Sequence, residues 1–262
     1  MSALIIHNDI VHYEVLGRGR PIIFLHGWVG SWRYWIPTMQ AASASYRSYA
    51  LDMWGFGDTA KSKTRYTINE QVSLLDNFLE EMGIGKIALV GHDLGAIVAL
   101  RFAEKFPSYV DRVMAIGFPL ETALINDRLK ANTPVELGNW MLNGIPGGEA
   151  AIQEAAKVDN DAILATLENI SDLNLLGMVL NLTIPCLLVH GENDQAVTIP
   201  PIDTLANLND HAHHIIFENA GHYPMINEPN KFNRLLTDFL ALAAGESPRN
   251  LQLKEEWKRR FR

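Results

Sequence analysis

A tight turn between a predicted strand and a predicted helix, Gly91-His92-Asp93-Leu94-Gly95, is the feature that most restricts how this chain can fold. The apolar run Ile87-Ala88-Leu89-Val90 before it is typical of a buried strand, and residues 96–103 after it have helical spacing. Glycines flank the turn where a side chain would not fit. Asp93 would then lie at the top of a sheet, beside a helix N-terminus that favours negative charge. The turn therefore predicts an α/β fold with a mainly parallel sheet.

The rest of the chain alternates strands with helices, except in one stretch. Further strands are predicted near residues 10–16, 21–25, 48–51 and 112–116, and Thr67 to Met82 has the spacing of an amphipathic helix. Residues 118–182 contain only short helical patterns, and strands resume at Ile184. We therefore predict a core domain formed by residues 1–117 and 183–262, with a small helical cap at 118–182. The basic segment from Leu251 to Arg262 is predicted to be a C-terminal amphipathic helix.

Composition excludes several classes of partner. The net charge of -8 argues against nucleic acid and against an anionic membrane surface. No apolar run approaches the roughly 20 residues that a membrane span needs, and a signal peptide is not apparent. A cytoplasmic protein that acts on a small molecule is therefore expected. The one cysteine, Cys186, permits no internal disulfide and is expected to be buried and inert.

Three more segments follow predicted strands as the Asp93 turn does: His26-Gly27-Trp28, Gly191-Glu192-Asn193-Asp194 and Ala220-Gly221-His222. Nearby polar residues have structural explanations. His26 and His92 are expected to brace the neighbouring loops, and Asp52 and Asp58 to hold their own loop together. The spacing of His211, His213 and His214 matches no standard metal site, and a solvated turn is the better interpretation.

With these motifs the chain resembles the α/β-hydrolase superfamily over nearly its whole length, including the loop Leu51-Asp52-Met53-Trp54-Gly55-Phe56-Gly57-Asp58. The resemblance implies a nucleophile elbow at Asp93, with His222 as base and Asp194 orienting it. It also implies an oxyanion hole formed by the backbone N–H groups of Trp28 and Leu94, with no metal ion and no cofactor. The small cap is most similar to those of compact esterases and lactonases. The aspartate instead resembles the nucleophile of epoxide hydrolases and haloalkane dehalogenases.

An aspartate nucleophile predicts a particular reaction. A carboxylate is suited to displacing a halide or an epoxide oxygen from a saturated carbon, which leaves an alkyl ester on Asp93. His222 would then deprotonate the water that hydrolyses this ester. Two carboxylates beside one imidazole should raise the pKa of His222, so activity should fall at low pH.

The partners for the first step are incomplete in the sequence. Residues 118–182 contain no tyrosine to protonate an epoxide oxygen, although Tyr34 or Tyr223 could approach from the core. Indole N–H groups of Trp28 and Trp140 could assist a departing halide and contact the substrate, but a buried indole with its own acceptor is the simpler interpretation of Trp140.

Three other interpretations stay open at this stage. The chain could be an esterase or lactonase scaffold in which aspartate has replaced serine. It could be a ligand-binding receptor without catalysis. Asp93 could also be an ordinary helix N-cap.

Overall fold

The computed structural model describes residues 2–251 as an eight-stranded sheet in the order β1-β2-β4-β3-β5-β6-β7-β8. The strands are β1 (Ser2–Ile6), β2 (Asp9–Gly17), β3 (Arg20–Leu25), β4 (Tyr46–Leu51), β5 (Ile87–His92), β6 (Val110–Ile116), β7 (Cys186–Gly191) and β8 (Ala212–Phe217). Strand β2 pairs antiparallel with both β1 and β4, and all other pairs are parallel. The predicted α/β fold with a mainly parallel sheet is confirmed.

Helices cover both faces of the sheet. They are α1 (Ile36–Ala42), α2 (Ile68–Glu81), α3 (Leu94–Lys105), α4 (Arg128–Ala131), α5 (Pro134–Leu142), α6 (Glu149–Ala155), α7 (Asn160–Asn169), α8 (Leu175–Leu180), α9 (Ile202–Ala206), α10 (Pro224–Asn227) and α11 (Pro229–Ala241). Alternate residues of β3 enter different cores, with Ile23 and Leu25 packing among residues of α2 and α3, and Ile22 and Phe24 among residues of α1 and α11. A strand buried on both faces must be apolar throughout, which explains the continuous apolar run.

The chain between β6 and β7, residues 118–182, forms α4 to α8 and short turns, and we call it the insert. All of it is described, and it contains no strand apart from an isolated bridge between Ile125 and Val197. That bridge attaches the insert to the loop after β7. The role of the insert as a cap, and the boundaries predicted for it, stay predictions.

Several local expectations can be compared with the structure. Helix α2 begins after Thr67, whose side chain accepts a hydrogen bond from the Glu70 N–H, as the helical spacing predicted. Cys186 is buried, as expected, and burial raises the pKa of its thiol to about 12. The amphipathic helix predicted for the C-terminus concerns residues 252–262, which lie outside the described residues. Among residues 2–251, no helix is long and apolar enough to cross a bilayer.

Two features differ from expectation. Strand β1 was not predicted, because it has only five residues and lies at the edge of the sheet, where Ala3 and Ile5 are exposed. The interpretation of the histidines near residue 211 as a solvated turn is wrong for two of them, since His213 and His214 belong to β8 and are partly buried. His214 Nε2 lies 2.9 Å from His190 Nδ1 on the neighbouring strand. The pairing of β7 with β8 therefore gives the partly buried imidazole of His214 a polar partner.

Candidate active site

Asp93 occupies the sharp turn between β5 and α3 in a conformation that residues with a β-carbon rarely adopt. Its φ is 56° and its ψ is -115°, which places it in a strained region of backbone space. The surrounding backbone holds it there, since the Asp93 N–H donates to the Ile116 carbonyl at 2.7 Å. Its side chain makes no capping hydrogen bond to α3. Asp93 therefore occupies the N-cap position of α3 but does not cap it with its side chain, unlike an ordinary helix cap.

The two glycines of the turn are needed because neighbouring backbone fills the space beside them. A β-carbon on Gly91 would lie 2.3 Å from the Gly95 carbonyl oxygen, and one on Gly95 would lie 2.4 Å from the Leu25 carbonyl oxygen. Backbone atoms at such distances cannot be moved without displacing β3 or α3. The spacing of glycines around Asp93 is therefore a steric requirement of the turn.

The structure brings Asp93, His222 and Asp194 together at the carboxyl ends of β5, β8 and β7. His222 Nε2 lies 3.2 Å from Asp93 Oδ2, and His222 Nδ1 lies 2.9 Å from Asp194 Oδ2. Asp194 Oδ1 also accepts hydrogen bonds from the N–H groups of Ala196 and Val197, at 2.8 and 2.9 Å. Asp93 is 1% exposed and His222 is 3% exposed. An imidazole thus bridges two carboxylates in a site from which bulk water is excluded.

The two oxygens of Asp93 have different surroundings. Oδ2 accepts a hydrogen bond from the Trp28 N–H at 3.2 Å and faces His222. Oδ1 is buried and has no hydrogen-bond partner among the described residues. Leu94 is the first residue of α3, so its N–H has no acceptor within the helix. The two carboxylate oxygens therefore differ, because Oδ2 accepts a hydrogen bond and Oδ1 accepts none from the described residues.

Burial and charge shift the ionisation of all three groups. Burial lowers the pKa of His222, but Asp194 and Asp93 outweigh it and raise that pKa to about 10. Burial raises the pKa of Asp93 despite the opposing effect of His222. Burial acts in the same direction on Asp194, but His222 and the backbone N–H donors outweigh it and lower its pKa. The direction of the His222 shift agrees with the rise expected for the pKa of an imidazole between two carboxylates.

The hydroxyl of Tyr34 is fully used within the core. His92 Nε2 lies 2.8 Å from the carbonyl oxygen of His222, and because a carbonyl only accepts, Nε2 carries the proton. Burial, followed by the charge of His222, holds the pKa of His92 well below its usual value, so the ring is neutral and its Nδ1 accepts. The Tyr34 hydroxyl, 3.0 Å away, therefore donates to His92 and accepts from the Gly27 N–H at 2.7 Å.

Tyr223 is committed in the same way. Its hydroxyl donates to the carbonyl oxygen of Val29 at 2.8 Å, and burial raises the pKa of this phenol, as it does for Tyr34. Neither proton is directed at Asp93. The two core tyrosines that could approach the site therefore act in hydrogen bonds within the protein.

Both candidate indoles also have acceptors within the protein. Trp28 Nε1 donates to Thr166 Oγ1 of α7 at 2.9 Å, and both side chains are fully buried. Trp140 Nε1 donates to Gln195 Oε1 at 2.9 Å, and the guanidinium of Arg128 lies 5.0 Å from its ring centre. The simpler interpretation of Trp140 is confirmed for its acceptor, although the side chain is half-buried and not buried as expected. Contact of either tryptophan with substrate stays a prediction.

Polar residues below the site support its loops. His26 Nδ1 donates to the Gly27 carbonyl at 2.8 Å, and its Nε2 accepts from the Met53 N–H at 3.0 Å, which confirms its bracing role. His12, Asp52 and Asp58 place potential metal-binding atoms within 4.8 Å of one another. However, Asp52 Oδ2 already accepts from His12 Nδ1 and from the Asp58 N–H, at 2.8 and 3.0 Å. Hydrogen bonding of the loop accounts for this cluster, as expected of Asp52.

Two residues near the site were not found from the sequence. Thr166 supports Trp28 from 138 residues away in the chain. Glu154, 5% exposed, accepts from Ser31 Oγ and Arg33 Nε at 2.9 and 2.8 Å. Both lie in helices of the insert, and no local pattern marks which side chain of a short helix will contact the core. Glu192, the other acidic residue of the segment that contains Asp194, is exposed.

Comparison with known proteins places this site in a family. The alpha/beta hydrolase fold family matches residues 20–159. The chain is 27% identical to the 2-hydroxy-6-oxo-6-(2'-aminophenyl)hexa-2,4-dienoic acid hydrolase of Metapseudomonas resinovorans, over 88% of each chain. It is 28% identical to a soluble epoxide hydrolase of Corynebacterium sp. strain C12, over 48% of this chain and 50% of that one.

A solved structure supports the same fold. A mutant N-acyl homoserine lactonase in complex with N-hexanoyl homoserine lactone superposes with a TM-score of 0.80 at 19% identity, covering 91% of this chain and 96% of that chain. The sheet order, the strained elbow and the family match over more than half of the sequence agree. The chain belongs to the alpha/beta hydrolase fold family.

Proposed function

We propose that this protein hydrolyses a small, mostly apolar substrate through a covalent alkyl ester on Asp93. One observation carries the proposal. Asp93 Oδ1 is buried without a donor, while Oδ2 accepts from the Trp28 N–H and faces His222. A carboxylate oxygen without hydrogen bonds retains its nucleophilicity, because no donor must be released before it attacks.

In the first step, Oδ1 donates an electron pair to a saturated carbon of the substrate, and the bond from that carbon to the leaving group breaks. The leaving group departs with the bonding electrons. Oδ2 becomes the carbonyl oxygen of the new ester and already lies at the Trp28 N–H. In this mechanism the future oxyanion would lie at its donor before the reaction begins.

Alkylation also changes His222. The ester carries no charge, so one of the two carboxylates that raise the pKa of His222 is lost. The imidazolium can then release its proton, which accounts for the proton produced together with the leaving anion. Asp194 remains ionised and keeps Nδ1 protonated and the ring oriented. Neutral Nε2 is left to act as base.

In the second step, His222 Nε2 removes a proton from water, and the hydroxide attacks Cγ of Asp93. The negative charge that develops on Oδ2 is stabilised by the N–H groups of Trp28 and Leu94. Collapse breaks the bond between Cγ and Oδ1, and the alcohol leaves with a proton from His222. The hydroxyl on Cγ then gives its proton to the neutral imidazole as the carboxylate re-forms. The product alcohol therefore contains Oδ1, and the regenerated carboxylate contains an oxygen from water.

The hydrogen bonds of the tyrosines favour a leaving group that departs as a stable anion, such as a halide. Epoxide opening needs a proton donor at the leaving oxygen, but Tyr34 and Tyr223 donate to His92 and Val29. Residues 118–182 contain no tyrosine that could take their place as a donor. A halide needs no proton to depart, so we place haloalkanes before epoxides as the substrate class, although the indole N–H groups of Trp28 and Trp140 are also engaged within the protein.

Mass spectrometry tests the mechanism. His222→Gln should retain step one and lose step two, so incubation with panels of haloalkanes and epoxides should leave an alkyl adduct on the peptide that contains Asp93. Asp93→Asn is the matched control and should form no adduct. In a single turnover of wild-type protein in water labelled with the heavy oxygen isotope, the label should enter Asp93 and not the alcohol. Label in the alcohol, or no adduct across both panels, would refute the proposal.

The second candidate is a hydrolase of acyl substrates in which aspartate stands in place of serine. It is favoured by the extent of similarity, because the dienoic acid hydrolase matches 88% of the chain whereas the epoxide hydrolase matches 48%. Restoring serine with the substitution Asp93→Ser should then produce activity on p-nitrophenyl esters or on lactones, which the wild-type protein should lack. An inert Asp93→Ser variant that is folded by circular dichroism would remove this candidate.

A further inference from the structure

Two buried tyrosine hydroxyls lie on either side of Trp28, which donates its N–H to Asp93. Tyr34 holds the residue before Trp28 and Tyr223 holds the residue after it. Together they close a ring of hydrogen bonds through the parts of the site: Gly27 N–H to Tyr34 Oη (2.7 Å), Tyr34 Oη to His92 Nδ1 (3.0 Å), His92 Nε2 to the His222 carbonyl (2.8 Å) and Tyr223 Oη to the Val29 carbonyl (2.8 Å). The covalent chain completes the ring between residues 27 and 29 and between residues 222 and 223.

The direction of each bond follows from its acceptors, so the ring has one arrangement of protons. Tyr34 accepts one hydrogen bond and donates one, and Tyr223 donates one to a carbonyl. The tyrosine rings are also in contact, with centroids 5.6 Å apart, and the His92 ring lies 4.7 Å from that of Tyr223. Because this ring of hydrogen bonds is buried, breaking one of them would leave a donor and an acceptor without water to bind in place of the lost partner.

We propose that Tyr34 and Tyr223 are positioning residues that hold residues 27–29 so that the Trp28 N–H faces Asp93 Oδ2. The inference rests on the proposed function, because its effect on the reaction concerns the oxyanion of step two. Residue 28 itself has no other backbone anchor among the hydrogen bonds of the described residues. The same ring holds the backbone of His222, so it sets the oxyanion donor and the base relative to the nucleophile.

Step one and step two respond differently to this ring. Attack by Oδ1 requires no oxyanion donor, whereas ester hydrolysis develops charge on Oδ2. Loss of one direct oxyanion donor typically slows a reaction by roughly 100- to 1000-fold, so a displaced donor should slow step two by about 10-fold or more. A general loss of packing would instead slow both steps or unfold the protein.

The test uses Tyr34→Phe and Tyr223→Phe, which keep the aromatic rings and remove only the hydroxyls. Tyr66→Phe is the matched control, because Tyr66 is equally buried and its hydroxyl donates to Asp159, outside the ring. Single-turnover mass spectrometry with a haloalkane measures formation and decay of the alkyl-enzyme. Amide hydrogen exchange of Trp28, followed by NMR without substrate, measures how firmly the N–H is held.

In Tyr34→Phe and in Tyr223→Phe we expect the alkyl-enzyme to decay at least about 10-fold more slowly than in wild type. The rate of adduct formation should change less than about twofold. Amide hydrogen exchange of Trp28 should accelerate in both of these variants and not in Tyr66→Phe. Decay at the wild-type rate with unchanged exchange would overturn the inference, as would equal slowing of both steps. If wild-type protein and His222→Gln form no adduct, the proposed function fails, and the exchange measurement alone decides whether the tyrosines position Trp28.

Discussion

Replacing Asp93 with asparagine is expected to lower the pKa of His222, because it removes one of the two charges that face the imidazole. Nε2 of His222 lies 3.2 Å from Asp93 Oδ2, and Nδ1 lies 2.9 Å from Asp194 Oδ2. Asparagine keeps the shape of the side chain and an acceptor oxygen. Like the proposed ester, it carries no charge. Asp93→Asn therefore reports on His222 in the state in which it must act as a base.

The magnitude follows from the shift in the folded protein. Burial lowers the pKa of His222, yet the carboxylates raise it from 6.5 to about 10. A difference of that size corresponds to about 5 kcal/mol in favour of the imidazolium. Asp194 is the larger source and stays in place. We therefore expect Asp93→Asn to lower the pKa of His222 by roughly 1 to 2.

NMR of the nitrogen-labelled imidazole measures this directly. Between about pH 6 and pH 9, His222 of the wild-type protein should remain protonated, and His222 of Asp93→Asn should begin to lose its proton. Asp210→Asn is a suitable control, since the Asp210 side chain is 93% exposed. Intact-mass measurement verifies that the amide is retained. A wild-type His222 that titrates near its ordinary value, or a variant with an unchanged pKa, would refute the reasoning.

The same shift has a consequence for stability. Because the pKa of His222 is higher in the folded protein than in the unfolded chain, its stabilising contribution is complete below about pH 6.5 and is lost as the pH rises through about 10. In Asp93→Asn the loss should begin in the same range but be complete at a lower pH, because only the folded-state pKa is lowered. Urea unfolding of both proteins over the alkaline range measures the difference.

Three further predictions concern the surroundings of the triad. Thr166→Val leaves the buried indole N–H of Trp28 without an acceptor and should lower the free energy of unfolding by about 1–3 kcal/mol, whereas Thr166→Ser should cost less; urea titration compares them. Gly95→Ala puts a β-carbon 2.4 Å from a backbone carbonyl oxygen, so soluble yield or the Tm should fall, and a wild-type Tm would contradict the steric argument. Asp194→Asn removes a carboxylate whose pKa is lowered chiefly by His222 against the effect of burial. Its destabilising effect should therefore be present above about pH 4 and shrink as the pH falls further, and an effect that grows in acid would count against this assignment.

The sequence alone determined the elements whose cause is local. The turn around Asp93 was predictable, because glycines at 91 and 95 report a steric limit that any tight strand-to-helix turn imposes. Buried strands such as β3 were recognisable because a strand covered on both faces needs apolar residues throughout. The chain order of Asp93, Asp194 and His222 indicated a site through the resemblance to the α/β-hydrolase superfamily. In the structure these residues follow β5, β7 and β8, whose carboxyl ends lie at one edge of the sheet.

Only the tertiary structure decided which polar groups are partners. Tyr34 and Tyr223 were candidates for proton donation to a substrate, and their hydrogen bonds to His92 and Val29 show where those protons go. The indole of Trp28 meets Thr166 across 138 residues. Such contacts require segments remote in sequence to be positioned to within a few tenths of an ångström. Neither residue type nor spacing encodes that positioning. Local patterns set backbone conformation and burial, whereas the packing of the insert and core sets the hydrogen bonds around Asp93.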